Sequence, residues 1–264
     1  MKVEVGSCTN PGRVRPTNQD SLGDFDSPDG GPDKGRLLVL ADGMGGEAGG
    51  EIASRLAVDV VGKMYFKCPS TEPAAALELS MMAANQAIHA QATASAELHR
   101  MGTTCTALVL QGSRAWVAHV GDSRAYRIRN GATERLTTDH SMADRGPAYS
   151  HILTRALGAQ PEVQIDITHV SAPVRAGDVF LLCSDGLWGR VSDPDIGEIA
   201  ASEPDPEVGS RRMVDLANAR GGPDNISALL VRVEQVDHES WFRAAARMIG
   251  SVSSSWRGPR TPKP

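Results

Sequence analysis

Seven short runs along the chain are apolar or alternate apolar with polar, and each is bounded by Gly, Pro, Asn or Asp. They are Val3 to Thr9, Arg36 to Ala41, Thr103 to Leu110, Arg114 to Val120, Ala125 to Arg129, Asp178 to Cys183 and Ile226 to Val233. Such runs predict β-strands. The third and fourth are joined by Gln111-Gly112-Ser113, which predicts an antiparallel hairpin. Helical patterns interrupt them. Ile52, Leu56, Val60 and Met64 recur every four residues after Glu51 and make one apolar stripe. Pro73 to Arg100 is rich in Ala, Met, Gln and Glu, with Pro73 in its first turn, and predicts a long helix. Asp195 to Ala201 and Pro206 to Ala219 predict two more. Hairpins gathered together, with helices in separate blocks, predict an α+β fold of antiparallel sheets covered by helices. There is no internal repeat.

The pattern fades near Val236, so residues 1–236 are read as one domain and 237–264 as a basic tail. In the tail Trp241, Phe242, Ala245 and Ile249 could form a short apolar helical face, before a segment of linker composition.

Composition narrows the class. Of 264 residues, 41% are hydrophobic and 22% charged, a globular mix. A chain this long folds without needing a disulfide or structural metal. The formal net charge of −5 argues against a dedicated nucleic-acid binder. Cys8, Cys68, Cys105 and Cys183 form no C-x-x-C pair, which excludes a zinc or redox motif of that kind; all four are read as buried, reduced thiols. Glu4 stands where a signal peptide would be apolar. The longest apolar runs fall far short of the roughly 20 residues that span a bilayer. A cytoplasmic protein with no membrane partner is expected.

The candidate chemistry lies in aspartates beside glycine or at strand ends. Asp42 follows LLVLA and precedes Gly43-Met44-Gly45-Gly46. Asp122 follows WVAHVG, Asp185 follows VFLLCS, Asp224 sits in GGPDN before ISALLV, and Asp20 ends RPTNQD. A strand that delivers a carboxylate to its end, with glycine allowing close backbone approach, is how sites for hard cations are built. One Asp-Gly alone is an ordinary turn. Several at the ends of apolar strands point to a shared metal cluster, and oxygen donors suit Mg2+ or Mn2+. His119 alternates along a strand and reads as a core residue rather than a ligand.

Eight strings carry a family resemblance: RVRPTNQD (13–20), LADGMGG (40–46), MGTT (101–104), HVGDSRAY (119–126), TTDHS (137–141), LTRALG (153–158), LLCSDGLWGRV (181–191) and GGPDNIS (221–227). In order and spacing they resemble the metal-dependent PP2C-type (PPM) protein phosphatases, of bacterial type, over about residues 1–235. The resemblance implies a four-layer α-β-β-α sandwich of two antiparallel sheets flanked by helices. It implies a Mg2+ or Mn2+ centre with two ions, at which an activated water hydrolyses phosphoserine or phosphothreonine in proteins. Asp42 matches the carboxylate that bridges the two metals and Gly43 the backbone carbonyl on the second. Asp185 and Asp224 match the other ligands of the first. Asp122, with Asp185, matches a weaker third site seen in bacterial relatives. Asp20 matches an aspartate that orients the water at the metals, and Arg15 the arginine that grips the substrate phosphate.

The charges make sense of that set. A phosphomonoester carries about −1.5 to −2 near neutral pH, and a pocket of carboxylates repels it unless cations overcompensate. Two ions about 3.5–4 Å apart do so and activate a water for in-line attack. The planar fork of Arg15 matches two phosphate oxygens.

Two positions depart from the family. Gln19 stands where many members have a Glu that helps hold the second metal. Met44 replaces the His of eukaryotic members and has no proton to give. Between the DHS and LTRALG strings only Met142 to Ile152 intervene, which predicts a clipped flap and an open rim. The expected role is that of a monomer that opposes a Ser/Thr kinase. A catalytically silent, phosphatase-shaped binding module and a hydrolase of small phosphometabolites are the alternatives.

Overall fold

Continuous apolar runs become central strands here because both of their faces are buried. In the computed structural model, which describes residues 1–27, 34–45, 49–142, 145–146, 149 and 152–236, all strand pairs are antiparallel. One sheet has the order β1 (Lys2–Asn10), β11 (Ile226–Gln235), β10 (Val179–Cys183), β7 (Arg124–Arg129) and β8 (Ala132–Arg135). The other has the order β2 (Asp20–Phe25), β3 (Arg36–Met44), β5 (Cys105–Gln111), β6 (Arg114–Val120) and β9 (Asp166–His169), with β4 (Gly102–Thr103) paired to the end of β3.

Alternation along the strands divides the core into three layers. In β3, Leu37, Val39 and Ala41 face α1 (Gly49–Lys67) and α2 (Pro73–Ala94), whereas Leu38 and Leu40 face the opposite sheet. In β10, Val179, Leu181 and Cys183 face α4 (Asp193–Ser202) and α5 (Pro206–Ala219), whereas Phe180 and Leu182 point between the sheets. A period of two thus serves two cores at once. The result is helices, sheet, sheet, helices, the four-layer sandwich expected from the resemblance.

The structure also corrects the sequence reading. The helix expected over Pro73 to Arg100 stops at Ala94, where Ser95 adopts an extended backbone. Turns closed by Leu98 N–H to the Ser95 carbonyl and Met101 N–H to the Leu98 carbonyl then carry Met101 into the core. Three strands, β2, β8 and β9, had no clear signal, being short and mostly polar. The one-turn α3 (Asp185–Trp188) was also missed. Cys105 and Cys183 are buried, but Cys8 and Cys68 are only half-buried. The expected tail, 237–264, lies outside the described residues, as do parts of Met142 to Ile152. No described helix is long and apolar enough to cross a membrane.

Candidate metal centre

The ends of β3, β6 and β10, the start of β2 and the loop before β11 gather at one end of the sandwich. A cavity of about 530 Å³ opens there. Its walls include Asp42, Asp122, Asp185 and Asp224, together with Arg15, Gln19, Gly43 and Met44. Asp20, the remaining predicted residue, is buried beside Asp42 and does not reach the wall.

Each carboxylate has its own mount. Asp42 sits at the far end of β3, where its N–H donates to Thr104 Oγ1 at 3.0 Å and its carbonyl accepts from Thr103 Oγ1 at 2.8 Å. Gly43 follows; its N–H donates to the Gln19 carbonyl at 3.1 Å, and a Cβ there would lie 2.0 Å from the Gly50 carbonyl oxygen. Only glycine fits this approach. Asp185 opens α3 directly after β10. The N–H of Asn225 donates to Asp224 Oδ1 at 2.9 Å. The Asn225 amide also donates to the carbonyls of Pro11 and Thr17, and its Oδ1 accepts from Gln19 N–H. One side chain thereby ties the loop carrying Arg15 to the loop carrying Asp224.

Asp20 is held on one oxygen only. Its Oδ2 accepts from Ser184 Oγ at 2.9 Å and from Ser227 Oγ at 2.6 Å, whereas its buried Oδ1 has no partner. With the Ser227 hydroxyl committed to Asp20, Thr9 Oγ1 donates to Ser227 and accepts from Asn18 Nδ2 in turn.

Asp122 is positioned from both flanks. On one side Trp188 Nε1 donates to its carbonyl at 3.0 Å, while the Arg124 guanidinium lies 3.5 Å from the Trp188 ring centroid and forks onto Asp139. On the other, Gly121 adopts φ 112°, and a Cβ there would strike Thr104. Gly121 N–H donates to His140 Nδ1 at 3.1 Å, so His140 carries its proton on Nε2 and donates to Asp166 Oδ2 at 3.0 Å. Arg155 holds the other Asp166 oxygen at 2.8 Å. His119 is a core residue, as read: Thr106 Oγ1 donates to the Ser123 carbonyl and so accepts from His119 Nδ1. Burial, reinforced by His140, brings the pKa of His119 down to about 4 and keeps it neutral.

The electrostatics are those of acids under compression. Burial first, then repulsion from neighbouring aspartates, raises the pKa of Asp185 to about 7. Burial raises Asp122 and Asp20 to about 6 each, and Asp42 rises well above the usual range through burial and the surrounding aspartates. Arg15 is the cation on the cavity wall among the described residues, and its Nη2 is 2.8 Å from Asp224 Oδ2.

These residues fit a hard divalent cation. The donors are all oxygen, the uncompensated charge is large, and one buried carboxylate oxygen lacks a partner. Among the described residues no three acids, histidines or cysteines lie close enough together to hold an ion by themselves. That openness suits ions that keep several waters and use only a few carboxylates each.

The residues that sequence reasoning had not singled out are those that hold the aspartates: Ser184, Ser227, Asn225, Trp188 and His140. All lie inside the quoted strings, so the strings themselves were the signal.

Comparison with known proteins agrees with the geometry. A family model described as protein phosphatase 2C matches residues 15–217. Serine/threonine protein phosphatase PstP of Mycobacterium tuberculosis (strain ATCC 25618 / H37Rv) is 36% identical over 251 residues, covering 90% of this chain and 46% of PstP. The chain thus spans about half the length of that relative. Serine/threonine phosphatase stp of Listeria monocytogenes (serovar 1/2a) is 33% identical over 240 residues, 84% of this chain and 93% of that protein. The crystal structure of the PstP catalytic domain in complex with two manganese ions is 36% identical with a TM-score of 0.76, over 88% of this chain and 99% of that one. With the aspartates, the sandwich and these relatives in agreement, the chain belongs to the protein phosphatase 2C family.

Proposed function

We propose that the chain hydrolyses phosphoserine and phosphothreonine in proteins, using Mg2+ or Mn2+ at the cavity of Asp42, Asp122, Asp185 and Asp224. The observation that carries this reading is four aspartates on one wall, of which Asp42, Asp122 and Asp185 are raised in pKa by burial and repulsion from neighbouring aspartates, with Arg15 beside them. When bound, two divalent ions would supply positive charge for the phosphate oxygens and a water made nucleophilic near neutral pH.

The chain's own residues divide the remaining work. Asp42 and the Gly43 carbonyl would hold the ion pair, with Asp185 and Asp224 completing the first site. Asp122 and Asp185 together would hold a third ion. Asp20, fixed through Oδ2 by two serine hydroxyls and buried behind the wall beside Asp42, would orient the attacking water from there once the ions are bound. Arg15 swings from Asp224 to fork two phosphate oxygens. Met44 supplies an apolar wall and no proton. Gln19 supplies an amide where a carboxylate would add charge, which weakens the hold on the second ion.

A monomer in the cytoplasm that reverses the action of a Ser/Thr kinase is the role this reading implies. The name shared by PstP and stp supports the amino-acid class of the substrate. The test is phosphate release from phosphothreonine peptides and from sugar phosphates, with Mn2+ and with chelator. Chelator-sensitive release from the peptides is expected. Equal rates on sugar phosphates would reassign the chain to small metabolites, and no release from either would favour a binding module.

A further inference from the structure

A second depression, about 360 Å³ in volume, opens beside the metal cleft. Met44 and Leu153 line both, so the two share a wall. We infer that this groove seats an aliphatic side chain close to the phosphorylated residue of a peptide substrate, an inference that rests on the phosphatase reading above.

Continuity with the cleft comes first. A phosphorylated side chain reaching the aspartates leaves its own backbone at the cleft mouth, and an extended peptide advances only about 3.3 Å per residue from there. The shared Met44–Leu153 wall makes the groove the neighbouring recess along that path.

The chemistry of the groove selects the occupant. Met44, Leu153, Ala159 and Val163 form the apolar part of its lining, beside the polar Thr154, Gln160 and Gln164, and the Met44 thioether can adapt to different aliphatic shapes. Its arginine, Arg155, is committed to Asp166 at 2.8 Å. Glu162, exposed at the groove, has no ion-pair partner among the described residues and repels an acidic side chain.

The groove is also preformed, which lowers the cost of ordering it on binding. Leu153 is bridged to Ser141, and Thr154 N–H donates to the His140 carbonyl at 2.8 Å. On the far side the buried Asn85 amide donates to the carbonyls of Gln160 and Pro161, each at 3.1 Å. Both walls are therefore tied into the sandwich.

The test uses phosphothreonine peptides with Leu or Asp at each of the two positions on either side, assayed in Mn2+ beside a small aryl phosphate. At one or more of these positions Leu is expected to exceed Asp at least fivefold in kcat/KM, mainly through KM. Ala159→Trp, at an exposed position, fills the groove and should reduce that ratio below twofold. Glu162→Gln should improve the Asp peptide and leave the Leu peptide unchanged. Both variants should turn over the aryl phosphate at the wild-type rate. No difference between Leu and Asp in the wild type, or a ratio that survives Ala159→Trp, overturns the groove as a subsite. Failure of the wild type on the aryl phosphate and on every peptide would instead overturn the phosphatase reading itself.

Discussion

Asp20 and Asp42 stand directly opposite one another across the β2–β3 ladder, so the sheet holds two carboxylates face to face at one end. Directly opposed side chains have Cβ atoms about 4.5–5.5 Å apart, where like charges destabilise the pair. Both residues are buried, which raises the pKa of each, and the charge of Asp20 raises Asp42 further. A strand pair built for stability alone would not carry this. A bound cation, as proposed above, would supply the missing counter-charge.

The first prediction follows from that pair. Asp42→Asn keeps the shape and removes one charge. Activity should fall by at least about a hundredfold, as when a metal clamp loses a ligand. In chelator the same variant should melt higher by about 2–4 °C, the shift expected from relieving ~1 kcal/mol of repulsion in a domain of this size. Phosphate release and calorimetry check both halves. Activity above a tenth of wild type would remove Asp42 from the centre.

The raised acids also give a pH dependence. A carboxyl whose folded pKa lies above its unfolded value of 3.8 binds its proton more tightly when folded. Asp185 at about 7 and Asp20 and Asp122 at about 6 therefore contribute stability at low pH that is lost as pH rises from about 4 to about 7. Chelated protein should melt higher at pH 5.5 than at pH 7.5. Saturating Mn2+ should narrow the difference, because the ions compensate the carboxylates. A chelated melting temperature that rises over this interval would contradict the compression of the acids.

Much of this site was legible in the sequence because its parts sit where local rules are strongest. Asp42, Asp185 and Asp224 each adjoin a strongly apolar strand, so strand and carboxylate announce one another. Asp20 carried no such signal from its own strand. β2 reads DSLGDF, polar and short, and forms only because β3 offers it a partner and α1 covers it. The long helix over Pro73 failed at its end for a similar reason. Residues 95 to 100 have helical composition, but the core takes Met101, and the chain must turn to deliver it. Nothing local could reveal that Asn225 ties two loops about 210 residues apart in sequence, or that Arg15 rests on Asp224. Those are products of topology.

Arg15 gives a kinetic prediction. Its guanidinium is half-exposed and paired with Asp224, so it is stored at the cleft rather than built into the core. Arg15→Ala should raise KM for phosphopeptides more than it lowers kcat, because a ground-state grip on phosphate is lost. Arg15→Lys should recover only part of the loss, since the fork is gone. The melting temperature should change little, because exposed ion pairs contribute about 0–1 kcal/mol. An unchanged KM in both variants would return Arg15 to the role of a surface ion pair.

The last prediction concerns His140, which fastens three segments at once. Its N–H donates to the Gly121 carbonyl and its Nδ1 accepts from Gly121 N–H, so one turn beside Asp122 is held from both sides. Its carbonyl accepts from Thr154 N–H and its Nε2 donates to Asp166. His140→Ala leaves the buried Gly121 N–H unsatisfied, at a cost of about 1–3 kcal/mol. The melting temperature should fall by several degrees, at about 2–4 °C per kcal/mol. Activity should fall further than the lost stability explains, since the freed turn carries Asp122. His140→Asn places an amide oxygen near the former Nδ1 and can accept from Gly121, whereas His140→Gln extends toward the Nε2 position. Asparagine should therefore restore more stability and more activity than glutamine. If both variants behave like alanine, or glutamine is the better replacement, the Gly121 bond is not the one that holds the turn, and the Asp166 contact takes its place.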